Sequence, residues 1–93
     1  MGMIRLYATL RARADGEREV DVGWRAGASV GDAIRELVAR KPALAGCIVD
    51  AWGRVVPYVS VFIDGRDIRY LDGLTTALAE GDEIAIFPPV AGG

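Results

Sequence analysis

Residues 80–93 read EGDEIAIFPPVAGG, and how this ending is read sets the plan of the whole chain. Gly81 and Asp82 introduce a strand, Glu83 to Phe87, in which Ile84 and Ile86 face inward and alternate with outward neighbours, the period of a half-buried strand. Pro88 and Pro89 lack amide donors and hold φ near the extended polyproline value, so they end sheet pairing after Phe87 and stiffen the exit. Val90, Ala91, Gly92 and Gly93 follow, with almost nothing to pack. The strand anchors, the prolines project, and glycines without side chains allow another backbone to approach closely. A frayed, inert terminus is the ordinary alternative, so the elements preceding the tail carry the decision.

Upstream, Met3 to Leu10 places Ile4, Leu6, Ala8 and Leu10 on one face and Arg5, Tyr7 and Thr9 on the other, which predicts a first strand. Asp15 and Gly16 form a turn pair, and Val20 and Val22 then alternate against charges as the second arm of a hairpin. Ser29 is suited to cap a helix start, with Asp32 three residues on completing a capping box. The helix is expected from about Val30 to about Arg40. Val30, Ile34, Leu37 and Val38 form its apolar stripe, Arg35, Glu36 and Arg40 face away, and Pro42 ends it. Between Pro42 and Pro57 the mixed pattern fits both a short helical turn and an irregular loop. Tyr58 to Ile63 alternates again as a third strand, with Asp64 and Gly65 as the next turn. Ile68 to Leu71 reads as a short strand and Gly73 to Leu78 as a compact turn. The order is two strands, helix, strand, short strand, strand.

Ninety-three residues make one domain, residues 1–93, with residues 88–93 as a projecting tail and no room for a separate catalytic lobe. With 52% of residues apolar and 26% charged, the chain has the balance of a folded domain. The one cysteine, Cys47, has no internal disulfide partner and suits a reducing interior, so cytoplasm is the expected compartment. No apolar run approaches bilayer length, the N-terminus lacks a signal-peptide core, and Leu6 stands where a myristoylation site needs serine or threonine. No membrane partner is therefore expected, and the net charge of −2 with scattered arginines argues against a nucleic-acid phosphate backbone as the main partner. The absence of histidine removes histidine triads and the usual mixed zinc sites, and no metal is expected. Cys47, among Ala45, Gly46, Ile48 and Val49, reads as packing rather than as a reactive thiol. Asp82 with Glu83, and Asp72 with Gly73, read as turns rather than as acid–base or phosphate-binding groups.

The ββαββ order together with EGDEIAIFPPVAGG resembles the small β-grasp, ubiquitin-like sulfur carriers, among them the molybdopterin synthase small subunit and the thiamine carrier. The resemblance covers the chain in element order and is most specific in its last thirty residues, which also resemble the carrier of a cysteine-forming pathway. FPPVAGG is most similar to the molybdopterin carriers, whereas the length between helix and third strand and the DGRDIRYLDGL segment exceed the shortest of them. The implied fold is α+β: a mixed four- to five-stranded sheet on one main helix.

The resemblance also implies a function. The protein would be a covalent co-substrate with no active site or bound cofactor of its own. An adenylating, E1-like enzyme would consume ATP to activate the carboxylate of Gly93, a poor acyl donor until it is joined to AMP. Sulfur would then replace one oxygen, giving a thiocarboxylate that attacks a substrate in an acceptor synthase, with the molybdopterin synthase large subunit as the leading partner. Strands one, five and three would be neighbours, so Tyr7, Phe87 and Phe62 would form an exposed patch that, with Pro88, Pro89, Val90, Ala91 and Gly92, meets the partners. In the alternative arrangement residues 42–57 cover these aromatics as a minor core. The remaining functional alternatives are a carrier for cysteine or thiamine synthesis, a ubiquitin-like modifier joined through Gly93, and a binding module with an inert tail.

Overall fold

The structure, a computed structural model, describes residues 2–89. Strand β1 (Met3–Leu6) leads through a short helix α1 (Ala8–Arg13) to β2 (Glu19–Asp21), and helix α2 (Val30–Arg40) follows. After a long connection come β3 (Ser60–Ile63), β4 (Arg66–Asp67) and β5 (Glu83–Phe87). The five strands form one sheet in the order β2-β1-β5-β3-β4. Parallel pairing of β1 with β5 joins the two ends of the chain at the centre, and β2, β3 and β4 add to it antiparallel. This is the mixed sheet expected of a β-grasp domain.

The register explains why one face became the core. Ile4 pairs with Ile84, Leu6 with Ile86, Val61 with Ile86 and Ile63 with Ile84, so the inward positions of three strands fall into line. Against them α2 lays Val30, Ala33, Ile34 and Leu37, all buried. The helix has the expected limits and start: Ser29 Oγ accepts the Asp32 N–H while Asp32 Oδ2 accepts the Ser29 N–H, both at 3.1 Å. Each satisfies a donor that the first helical turn would otherwise leave unpaired.

Three expectations change. The first strand ends at Leu6 rather than Leu10, because the chain turns at Tyr7 into α1, where Ala8 is exposed while Leu10 and Ala14 are buried. Leu6, Leu10 and Ala14 are spaced by four, a spacing that puts Leu10 inside under either period, so alternation alone did not separate the two. Asp15 and Gly16, both left-handed, then close the helix. The expected strand Ile68 to Leu71 is a single 3-10 turn, Ile68–Tyr70, and the strand pairing belongs to Arg66–Asp67 instead. The Asp67 carboxylate accepts the Arg69 N–H at 2.9 Å, a bond that bends the chain out of the ladder. The third strand begins at Ser60, two residues late, since Tyr58 is left-handed at φ 69° and points to solvent.

The open segment, residues 42–57, is a 3-10 turn at Pro42–Leu44 followed by a loop held by one bridge between Val49 and Val55. Leu44 and Ile48 are fully buried. Asp50 Oδ1 accepts the N–H groups of Trp52 and Arg54, which fixes the loop tip and leaves the Trp52 ring exposed. Gly2 is buried as well, its backbone oxygen accepting the Val22 N–H at 2.8 Å beneath the Trp24 ring.

Candidate functional site

The face of the sheet opposite α2 carries the outward residues of three strands. Tyr7, just past β1, stacks on Phe87 of β5 with ring centroids 4.3 Å apart and planes 14° from parallel. Phe62 of β3 meets the same Phe87 edge to face at 5.5 Å and 86°. The edge-to-face contact is a geometry that the ring quadrupole favours. All three rings are half-buried, which is more than isolated surface aromatics and less than core. Residues 42–57 do not cover them. That segment lies against α2, where Ala45, Gly46, Val49 and Gly53 join Ile34, Arg35 and Val38 around a cavity of about 470 Å³.

The aromatic patch has a charged border that the sequence pattern did not announce. Arg5 Nε lies 3.3 Å from Glu19 Oε1 and 3.3 Å from Glu83 Oε1, a strip running across β2, β1 and β5. Outward alternation of Arg5 was legible, but its two partners depend on the pairing of Arg5 with Glu19 and on β5 lying alongside. These pairs are solvent-exposed, so they add definition to the patch more than stability.

The patch leads directly into the tail. Phe87 is the last residue of β5; Pro88 is half-buried and Pro89 exposed. Val90, Ala91, Gly92 and Gly93 lie outside the described residues. The remaining singled-out residues take the structural roles read for them. Cys47 packs partly buried against the core, its thiol 3.7 Å from the Ala43 oxygen. Asp82 Oδ2 accepts the Ala79 N–H at 2.7 Å in the turn before β5. The Asp72 oxygen accepts the Thr75 hydroxyl in the turn at Gly73–Thr75. Among the described residues no three His, Cys, Asp or Glu side chains gather in a way that would hold a metal ion. Nor, among the described residues, is any helix long and apolar enough to cross a membrane.

Comparison with known proteins agrees with this architecture over nearly its whole length. The ThiS family model matches residues 4–93, a span that includes the tail. Small archaeal modifier protein 3 of Haloferax volcanii is 42% identical over 92 residues, covering 97% of this chain and 96% of that one. Sulfur carrier protein CysO of Mycobacterium tuberculosis is 31% identical over 92 residues, again covering 97% and 96%. Among solved structures, a chain of the Amycolatopsis orientalis BexX/CysO complex superposes with a TM-score of 0.87 at 26% identity, each chain covered in full.

Proposed function

Because the chain belongs to the ThiS family, with sulfur carriers and ubiquitin-like modifiers as its relatives, we propose that it is a covalent carrier whose reactive group is the carboxylate of Gly93. The observation that carries this reading is the continuity of the half-buried aromatic patch with the last strand and its two prolines. One surface can hold a partner while residues 88–93, as a projecting tail, reach its active centre. The body, built by residues 2–89, offers a sheet face for docking and leaves the chemistry to the partner.

The steps follow from the chemistry of a carboxylate. An adenylating, E1-like enzyme joins a Gly93 oxygen to the α-phosphorus of ATP, and pyrophosphate leaves. A sulfur nucleophile then attacks the carbonyl carbon, the bond to AMP breaks, and AMP departs with the electron pair. With sulfide as that nucleophile, Gly93 ends as a thiocarboxylate once the sulfur sheds its proton, an anion whose polarisable sulfur attacks a substrate in an acceptor synthase. The FPPVAGG ending favours a molybdopterin precursor as that substrate, with the synthase large subunit docking on Tyr7, Phe62 and Phe87 and along Pro88, Pro89, Val90, Ala91 and Gly92. A cytoplasmic setting suits both the ATP-dependent step and the free thiol of Cys47.

A second reading is favoured by the 42% identity to a protein named a modifier. It shares the adenylated Gly93 and differs in the nucleophile, an amine of another protein in place of sulfur. Intact mass after incubation with ATP, a sulfide source and a candidate activating enzyme separates the two. A gain equal to the difference between sulfur and oxygen, mapped to Gly93, supports the carrier. An unmodified tail with every activating enzyme of the host overturns both.

A further inference from the structure

Eleven basic side chains occur in this sequence, and Lys41 alone among them is a lysine. The others are arginines, which stay protonated and offer no free amine. That composition matters for a protein whose terminal glycine becomes an acyl adenylate. A free amine attacks such a group: a C–N bond forms at the carbonyl carbon, the bond to the AMP oxygen breaks, AMP leaves with the electron pair and the amine sheds a proton. Lys41 is the one ε-amine through which the activated chain could acylate itself or a second copy.

The structure holds that amine tightly. Lys41 caps the end of α2, its N–H donating to the Leu37 oxygen at 2.8 Å, and its side chain is only 16% exposed. Nζ lies 2.8 Å from Glu17 Oε1 and 3.5 Å from Asp15 Oδ2. Asp15 stands in the left-handed turn that closes α1, so the ion pair ties the α1–β2 corner to the end of α2. The negative end of the α2 dipole favours the same ammonium. The hydrogen bond to Glu17 raises the ammonium above its ordinary pKa; desolvation opposes it, and the charges of Glu17 and Asp15 add to it. An amine that stays protonated, with its protons directed at two carboxylates, has no lone pair to offer.

We propose that Lys41 is a sequestered amine whose ion pair with Glu17 and Asp15 keeps the activated protein from acylating itself, so that any transfer to amines adds single units and builds no chains through this lysine. The proposal rests on the reading that Gly93 is adenylated, and its test separates the two. The full-length protein is treated with limiting acetyl N-hydroxysuccinimide ester, folded and in urea, and acetylation is read site by site by mass spectrometry. Lys41 is expected to react several-fold more slowly in the folded chain. Glu17→Gln with Asp15→Asn, checked for folding by circular dichroism, is expected to recover most of the unfolded rate. Equal rates in the folded and unfolded native protein overturn the proposal, whatever the variant does. With ATP and an activating enzyme but no sulfur source, the native protein is expected to give no dimer linked at Lys41, and such a dimer also overturns it. Failure to form any adenylate counts against the Gly93 reading alone, leaving the acetylation rates to decide on Lys41.

Discussion

Tyr7 and Phe87 lie ring on ring, 4.3 Å apart, although one stands near the start of the chain and the other near its end. Parallel pairing of β1 with β5 brings them level, since Leu6 is opposite Ile86, and Tyr7 just past β1 and Phe87 at the end of β5 are the next residues along. The two neighbours therefore divide the work: Leu6 and Ile86 fill the core, while Tyr7 and Phe87 build the outer patch.

Replacing Phe87 by glutamate tests that division. The expected cost to stability is about 1–3 kcal/mol, the scale of its two aromatic pairs with Tyr7 and Phe62, while binding to the activating enzyme falls sharply. Ile86→Ala, one residue away but fully buried, is expected to cost about 2–5 kcal/mol. Thermal melting beside calorimetric titration reads both, and a Phe87→Glu variant that melts like Ile86→Ala would place Phe87 in the core.

Gly2 is predicted to tolerate no side chain. A Cβ there would stand 2.3 Å from Cδ2 and Cε3 of Trp24, whose indole N–H is fixed on the Ala79 oxygen at 3.0 Å. Gly2→Ala should lower stability by about 1–3 kcal/mol, as overpacking does. The urea midpoint measures it; an unchanged midpoint would show that the indole moves aside without cost.

The carboxylates predict how stability responds to acid. The Ser29 N–H holds Asp32 below the ordinary carboxylate range, and the Arg69 guanidinium does the same for Asp67. A depressed folded-state pKa contributes stability that is present above the unfolded value and lost as pH falls through the folded one. Asp64 works in the opposite sense. The Glu83 N–H favours its carboxylate, but desolvation and the neighbouring Asp82 outweigh that bond and raise it. Asp64→Asn keeps an acceptor for Glu83 and suits the left-handed backbone at φ 48°. It is therefore expected to be more stable than the native protein at neutral pH, with the advantage shrinking as pH drops. Urea unfolding across that range would refute this if the native protein were the more stable of the two at neutrality.

Deleting Gly93 should abolish adenylation and leave unfolding unchanged. Among the described residues the buried hydrophobic core runs from Ile4 to Ile86, which is the ground for expecting an unchanged melt. Pyrophosphate release with the activating enzyme and a thermal melt give the two readouts. Persistent activation of the shortened chain would exclude Gly93 as the reactive residue.

Local pattern by itself determined much of this protein. Alternation located β5 with its limits, the Ser29–Asp32 pair marked the start of α2, and Pro88 and Pro89 marked the end of pairing, because each depends on residues within a few positions of one another. Where two periods put the same residue inside, as with Leu10, or where a side chain such as Asp67 captured its neighbour's N–H, local pattern misled. Which strands are neighbours was supplied by the resemblance and not by alternation, and from it the aromatic patch. Other features were decided by tertiary structure alone: Arg5 between Glu19 and Glu83, Gly2 beneath Trp24, and Lys41 between Asp15 and Glu17. Each joins residues far apart in the chain, and such contacts exist only once the parallel β1–β5 pair and the packing of α2 have fixed where distant segments lie.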